Sequence, residues 1–264
     1  MNSPIAYVGG KSKLADTIIN FIPEHQTYIE VFAGGAWIFF RKKYSNGEVL
    51  NDKDGDLISL YRVIQNHLEE FLRQFKWLLT SREVFDNYKG QMEKSGLTDI
   101  QRAARYYYLQ RLCFGGRVLN RSFGVDSSGG NRINLLRMEE ELSAVHLRLS
   151  NVIIENLSWE DLIIRYDKAE NFFYLDPPYF SAPCYKYNFS SIDDYKAMSD
   201  ILSNIQAKFI LSINDHPQIR HVFKGFHMKE VEVPYSLAKT DSLIGKELLV
   251  SNFKLKEGQG YLFE

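Results

Sequence analysis

The tetrapeptide Asp176-Pro177-Pro178-Tyr179 constrains this chain more than any other stretch. It follows the run Asn171-Phe172-Phe173-Tyr174-Leu175, which is short and aromatic and ends at a proline pair that can neither donate ladder bonds nor continue a helix. The run is predicted as a buried strand with a carboxylate at its C-terminal tip. Asp176 and Pro177 each precede a proline and are driven to extended geometry, which turns the Pro177 carbonyl outward as an acceptor. Two fixed acceptors beside the Tyr179 ring suit an amino group. A proline-rich turn with Tyr179 packed inward is the plain alternative.

Glycine turns supply the rest of the frame. Tyr28-Ile29-Glu30-Val31-Phe32 reads as a strand, and Ala33-Gly34-Gly35-Ala36 as a tight turn into an apolar helix through Trp37, Phe39 and Phe40. Glu48 to Asn51 forms the next strand, with Asp52 at its tip. An acid about 20 residues past a glycine turn commonly receives ribose hydroxyls in nucleotide-binding α/β folds, and a bare βαβ connection can look the same. The full GxGxxG is missing, which disfavours a dinucleotide and suits a nucleoside without phosphates. Tyr7-Val8-Gly9-Gly10-Lys11-Ser12 ends like a phosphate-binding loop, but Ile5 stands where that motif needs glycine. What remains is a Gly-Gly turn between an aromatic ring and an ammonium able to meet a carboxylate.

From Asp56 the character changes. Leu57, Leu60, Tyr61, Ile64, Leu68 and Phe71 recur at three and four residues and predict one long amphipathic helix, followed by helices at 81–93 and 99–113. This helical block interrupts the α/β alternation and reads as an insertion, giving a catalytic domain in two parts, 1–56 and 151–264, around residues 57–150. The chain as a whole carries a net charge of -1, yet residues 101–137 hold seven arginines, no lysine and one acid. The stretch from Phe114 to Phe123 and the Ser127-Ser128-Gly129-Gly130 segment read as a loop rich in Arg, Asn and aromatic residues. Arginine pairs with guanine or phosphate and asparagine with adenine, so Arg111, Arg117, Asn120, Arg121 and Arg132 are candidate nucleic-acid contacts. Arg102 and Arg105 read as solvated helix-face residues.

Beyond the block, residues 151–155 form a strand and a helix starts after Asn156. Phe180 to Ser190, with Tyr185, Tyr187 and Phe189, is predicted as a lid near Asp176. A helix with Ile192, Tyr195 and Met198 on one face follows, and segments at 208–213, 226–233, 247–253 and 260–263 complete a mixed sheet. At 264 residues and 45% hydrophobic content the chain can bury a sizeable core. Cys113 and Cys184 have no CxxC spacing and the histidines no ligand pattern, so neither a disulfide nor a metal is expected. No apolar run approaches the roughly 18 residues of a membrane span, and no leader-like segment is seen, so a cytoplasmic protein is expected.

Taken together, these motifs resemble the Dam-type DNA adenine methyltransferases, the order-α branch of the S-adenosylmethionine-dependent amino-methyltransferases. Tyr7 to Lys11 resembles their N-terminal element, Glu30 to Gly34 the cofactor motif, Leu50-Asn51-Asp52 the acidic strand end, Arg111 to Gly116 the start of the target-recognition loop, Asp176 to Tyr179 the catalytic motif, and Glu247 to Val250 a late strand. The resemblance implies a Rossmann-like class I methyltransferase sheet, mixed and mostly parallel, with an inserted, mainly helical target-recognition domain.

It further implies methylation of a flipped-out adenine at N6 in double-stranded DNA, with Asp176, Pro177, Pro178 and Tyr179 as the catalytic group. Asp176 and the Pro177 carbonyl would hold the amine and Tyr179 would stack on the base. S-adenosylmethionine is placed against Tyr7, Lys11, Glu30, Phe32, Gly34, Gly35, Asp52 and Asp176. No metal is implied; the protein is expected to be a monomer in solution, with a dimer on DNA left open.

Two departures from the family pattern stand out. Ala36 replaces a usual glycine, so Gly35 is expected to supply the turn's flexibility. Gln110 stands where asparagine is common, and the segment after Arg121 leaves the pattern of GATC enzymes, so the target sequence is open. Cytosine N4 methylation and a non-catalytic DNA-binding module are the alternatives. A nuclease is weakly supported, since its acid-x-Lys pattern occurs only as Asp194-Tyr195-Lys196 on a predicted helix.

Overall fold

The computed structural model describes residues 1–124, 133, 135–181, 185–234 and 244–256. Seven strands are present among them: β1 Thr27–Glu30, β2 Gly47–Asn51, β3 Ile153–Glu155, β4 Asn171–Leu175, β5 Lys208–Asn214, β6 His227–Pro234 and β7 Ile244–Ser251. They form one sheet in the order β3-β2-β1-β4-β5-β7-β6. The first five are parallel, and β7 runs antiparallel between β5 and β6. This is the mixed, mostly parallel class I methyltransferase sheet that the motif order implies.

A sheet covered on both faces needs strands that are apolar throughout. β4 is buried at all five positions, sending Phe172 and Tyr174 into one core and Phe173 and Leu175 into the other. The first core takes the apolar faces of α1 Ala15–Ile19, α2 Trp37–Arg41, α3 Gly55–Asn66, α4 Leu68–Arg73, α5 Arg82–Met92, α6 Asp99–Leu112 and α7 Leu135–Leu149. The second takes α8 Trp159–Tyr166, α9 Ile192–Leu202 and α10 Pro217–Val222. Residues 57–150 thus share a core with one face of the sheet.

Helix starts follow the capping residues. Ser81, Thr98, Ser158 and Ser191 each accept a backbone N–H of the first turn, and Thr98 with Gln101 closes a capping box. The single long helix expected from Asp56 is instead two. His67 leaves helical geometry at φ -138° and ψ 38°, its N–H closing α3 on Val63 and its carbonyl opening α4 to Phe71. The break lets Phe71 and Phe75 turn edge-on to Tyr107 of α6 at 5.6 Å each. The segment 260–263, expected as a strand, lies outside the described residues, as do Ser127 to Gly130, Arg132 and Cys184.

Strand order reverses between β1 and β4, which are neighbours although they lead away in opposite directions. A crevice opens beyond the carboxyl ends of strands at such a switch point. Glu30 of β1 is in register with Tyr174 of β4, so Glu30 and Asp176 arrive at the same end of the sheet.

Candidate active site

A cavity of about 380 Å³ occupies that crevice, within the roughly 300–1,000 Å³ range of small-molecule sites. Tyr7 to Lys11, Glu30 to Ile38, Asn51 to Asp54, Leu157 to Glu160, and Tyr185 to Phe189 line it, together with Tyr174, Asp176 and Pro178. Each cofactor residue expected from sequence, Tyr7, Lys11, Glu30, Phe32, Gly34, Gly35, Asp52 and Asp176, lies on its wall.

The floor is the turn after β1. Gly34 has φ +46° and donates its N–H to Asp52 Oδ2 at 2.9 Å, while Tyr61 donates its hydroxyl to the Gly34 carbonyl at 2.8 Å. Asp52 Oδ1 accepts the Asp54 N–H at 2.8 Å. Burial pushes the Asp52 carboxyl up to about 6 against these hydrogen bonds. The expectation for Gly35 is corrected: Ala36 itself takes the left-handed conformation at φ +50°, where its N–H closes the turn on Ala33 and it caps α2. Gly35 serves space instead, since a Cβ there would stand 3.1 Å from Tyr7 Cβ and 3.2 Å from the Trp37 indole.

Glu30 is buried and accepts the Tyr28 hydroxyl at 2.8 Å and the Phe39 N–H at 3.1 Å. Burial dominates and raises its carboxyl to about 8, so it is largely protonated at neutral pH.

Four polar side chains converge at the tip of β4. Lys11 Nζ lies 2.6 Å from Asp176 Oδ1, 2.5 Å from the Tyr179 hydroxyl and 3.1 Å from Glu247 Oε1. Tyr179 donates its hydroxyl to Glu247 Oε1, which also accepts Ser212 Oγ at 2.7 Å. Burial pushes the Asp176 carboxyl up to about 6; Lys11 pulls it down and Glu247 pushes it up. Burial lowers the Lys11 ammonium's affinity for its proton, but the Asp176 and Glu247 carboxylates outweigh this and hold it above the ordinary lysine value. Pro177 is buried and is not among the cavity-lining residues, whereas Pro178 is, its carbonyl accepting the Tyr195 hydroxyl at 2.7 Å.

Of the segment predicted as a lid, residues 185–189 line the cavity. Tyr185 donates to the Val8 carbonyl at 3.1 Å and stacks on Tyr7 with ring centres 6.1 Å apart. Lys186 reaches Asp56 at 3.3 Å and Asp54 at 3.5 Å, and Phe189 meets Phe32 edge-on.

The arginine-rich segment divides. Arg117 and Asn120 are exposed, the latter at φ +49°. Arg121 is turned inward, its guanidinium 4.8 Å from the Tyr106 ring and 3.2 Å from Gln110 Oε1. Arg111 is half-buried against Tyr107 and pairs with Glu141 at 3.7 Å. Arg102 pairs with Asp56, and Arg105 bonds Gln91 and stacks on Tyr88. Gln110, buried, donates to the carbonyls of Ala6 and Gly116 at 2.7 Å each and so ties the N-terminal segment to this region.

Sequence reasoning missed Glu247 as a site residue, along with Leu157, Trp159 and Asp54 on the cavity wall. Glu247 left one signal, a carboxylate heading the apolar run Leu248-Leu249-Val250. Leu157 and Trp159 follow β3, whose carboxyl end points to the same crevice.

The chain is similar to several known proteins. The chain is 26% identical over 262 residues to the type II methyltransferase M.CviBI of Paramecium bursaria Chlorella virus NC1A, covering 97% of this chain and 99% of that protein. It is 25% identical over 259 residues to the type II methyltransferase M.MjaIII of Methanocaldococcus jannaschii, covering 86% and 89% of the two chains. Against the DNA adenine methylase of Escherichia coli K12 it is 28% identical over 182 residues, covering 66% and 64%. Among the described residues no helix is long and apolar enough to cross a membrane, and no group of side chains is suited to hold a metal ion. The family model described as D12 class N6 adenine-specific DNA methyltransferase matches residues 7–237, so the chain belongs to that family of adenine-specific DNA methyltransferases.

Proposed function

We propose that this chain methylates N6 of an adenine flipped out of duplex DNA, with S-adenosylmethionine as donor and Asp176 as the group that holds the amine. The carrying observation is Asp176 at the tip of β4, at the switch-point cavity. The cavity's lining suits the donor. Gly34 and Gly35 make a cradle that a Cβ would crowd against Tyr7 at 3.1 Å, the Tyr7 ring offers a face for a purine, Asp52 suits a ribose, and acidic groups suit a sulfonium. When bound, S-adenosylmethionine supplies a methyl group on a cationic sulfur, which keeps the C–S electron pair as the methyl leaves.

The protein's part is to reshape and place the amine. Adenine N6 is a poor nucleophile while its lone pair is delocalised into the ring. Asp176 accepting one N6–H, with the Pro177 carbonyl accepting the other, draws the nitrogen toward tetrahedral geometry and directs its lone pair at the methyl. Tyr195 occupies the Pro178 carbonyl, which leaves that of Pro177 as the proposed second acceptor. Tyr179 provides an aromatic face for the flipped base. The proton released from N6 passes to Asp176, whose raised pKa suits it as a transient acceptor, and then to solvent. Residues 57–150 are proposed as the target-recognition part, with Arg117 and Asn120 the exposed candidates for DNA contact.

Asp176→Ala tests the reading. Transfer of labelled methyl groups into duplex DNA is expected to vanish while DNA binding persists; transfer at the wild-type rate overturns it.

A further inference from the structure

Glu247 lies on β7, which the chain places beside β5 only after most of the sheet is built, and its carboxylate still reaches the tip of β4. The register sets Glu247 opposite Asn214, so its side chain shares a face with Ser212, two residues away on β5. There Oε1 gathers three donors: the Ser212 hydroxyl at 2.7 Å, the Lys11 ammonium at 3.1 Å and the Tyr179 hydroxyl. Glu247 is buried, at 2% exposure, and so is Lys11, at 5%.

In this arrangement one ammonium stands between two carboxylates. Lys11 donates hydrogen bonds to Asp176 and Tyr179 and makes a second ion pair, with Glu247 at 3.1 Å. If Asp176 were its sole carboxylate partner, the ammonium would neutralise the acceptor that the proposed reaction needs and would resist leaving it. With Glu247 present, Lys11 can slide from Asp176 toward a second carboxylate when the amine arrives, and no buried charge is left unpaired. The cluster also keeps one excess negative charge. Positive charge develops on N6 as it attacks a sulfonium, and a fixed excess of negative charge favours that transition state over the ground state. By accepting the Tyr179 hydroxyl, Glu247 also fixes the ring proposed to face the base.

We infer that Glu247 is a positioning residue for methyl transfer, acting through Lys11 and Tyr179 to keep Asp176 available to the amine. The inference rests on the reading of Asp176 as the amine acceptor. The charged and titratable groups around it are Lys11 from the N-terminal segment and Tyr174, Asp176 and Tyr179 from β4 and its following loop, with the mostly protonated Glu30 beyond them. Removing the Glu247 charge therefore removes an influence that raises the Asp176 pKa.

The test is Glu247→Gln, which keeps shape and an acceptor oxygen but loses the charge. A kcat lower by about 10- to 100-fold is expected, as for misplacement of a reacting group, with KM for DNA and for S-adenosylmethionine nearly unchanged. The acid limb of the kcat profile is expected to move to lower pH than in the wild type, because Glu247 no longer raises the Asp176 pKa. Glu247→Asp, which keeps the charge but withdraws it from Lys11 and Tyr179, is expected to fold, to lose less kcat and to keep the limb in place. Wild-type kcat in Glu247→Gln overturns the inference, as does a kcat loss in Glu247→Gln that comes with a lower Tm and an unmoved acid limb. If Glu247→Gln does not fold, wild-type kcat in Glu247→Asp is sufficient to overturn it. Asp176→Ala run in parallel separates the two levels: methyl transfer by Asp176→Ala at the wild-type rate refutes the underlying reading, whereas an inactive Asp176→Ala beside a fully active Glu247→Gln refutes the role of Glu247 alone.

Discussion

Lys11 Nζ lies 2.6 Å from Asp176 Oδ1, although the two stand 165 positions apart in the chain. A lysine from the N-terminal glycine turn thus reaches the tip of β4 as well as the cavity. The pair is buried on the lysine side, with 5% exposure against 20% for Asp176.

Replacing Lys11 by Met leaves two carboxylates facing each other without their shared cation. Truncating one partner of a buried pair costs about 3 kcal/mol or more, so the urea midpoint should fall. Asp176 also loses the ammonium that pulls its pKa down. Residual methyl transfer should then fade at a higher pH than in the wild type as pH is lowered. An unchanged midpoint and acid limb would show that the pair contributes nothing.

Glu30 makes stability pH-dependent in the opposite sense to a salt-bridged acid. Burial raises its folded pKa from 4.5 to about 8. The folded chain therefore holds this proton more tightly than the unfolded chain. The stability it contributes is complete below about pH 4.5 and is lost as pH rises through about 8. Glu30→Gln cannot titrate and should gain on the wild type across that window, by about 2–4 kcal/mol at pH 9. Unfolding curves at pH 5 and pH 9 check this; a constant difference between the two proteins would refute it.

Gly116 should be intolerant of any side chain. Its φ is +64°, and a Cβ would stand 2.9 Å from the Ala6 carbonyl carbon and 2.9 Å from the Tyr7 nitrogen. Gly116→Ala should cost about 2 kcal/mol or more and, by shifting Tyr7, weaken S-adenosylmethionine binding in calorimetry. Gly115→Ala is the control: φ is +66° but nothing lies within 4 Å of its Cβ. It should cost only about 1 kcal/mol and leave cofactor binding intact.

Arg117 and Arg121 should behave differently although only three residues separate them. Arg117→Ala should weaken DNA binding, reduce the slope of log K against log salt by about 1, and leave Tm unchanged. Arg121→Ala removes a guanidinium held by Tyr106 and Gln110 and should lower stability by about 1–2 kcal/mol. Equal effects on Tm would contradict the division.

The features legible in sequence are those with local causes. A proline pair follows β4, a glycine pair opens the turn after β1, and Asp52 stands one residue past the end of β2. Each depends on backbone preferences within a few residues. Glu247 was not legible because its role depends on β7 being inserted between β5 and β6, a pairing no local pattern encodes. Arg121 was read as a candidate nucleic-acid contact because it lies in a charged loop, but the Tyr106 face and the Gln110 amide oxygen hold its guanidinium inward. Ala36 adopts the geometry expected of its glycine neighbour because the turn's closing hydrogen bond fixes the conformation at that position.

The first eleven residues bind three regions together. The Val8 N–H meets the Gly116 carbonyl at 2.9 Å, Gln110 holds the Ala6 carbonyl, Tyr7 walls the cavity, and Lys11 rests on Asp176. A short stretch of backbone is thus the common support of the arginine segment, the switch-point cavity and the Asp176 carboxylate. Thermodynamic reciprocity then applies: if DNA docking at Arg117 displaces this support and changes the affinity for S-adenosylmethionine, occupation of the cavity changes the affinity for DNA by the same factor. The N-terminus would act as the enzyme's coupling rod, and a bulky tag fused close to Tyr7 would disturb both affinities at once.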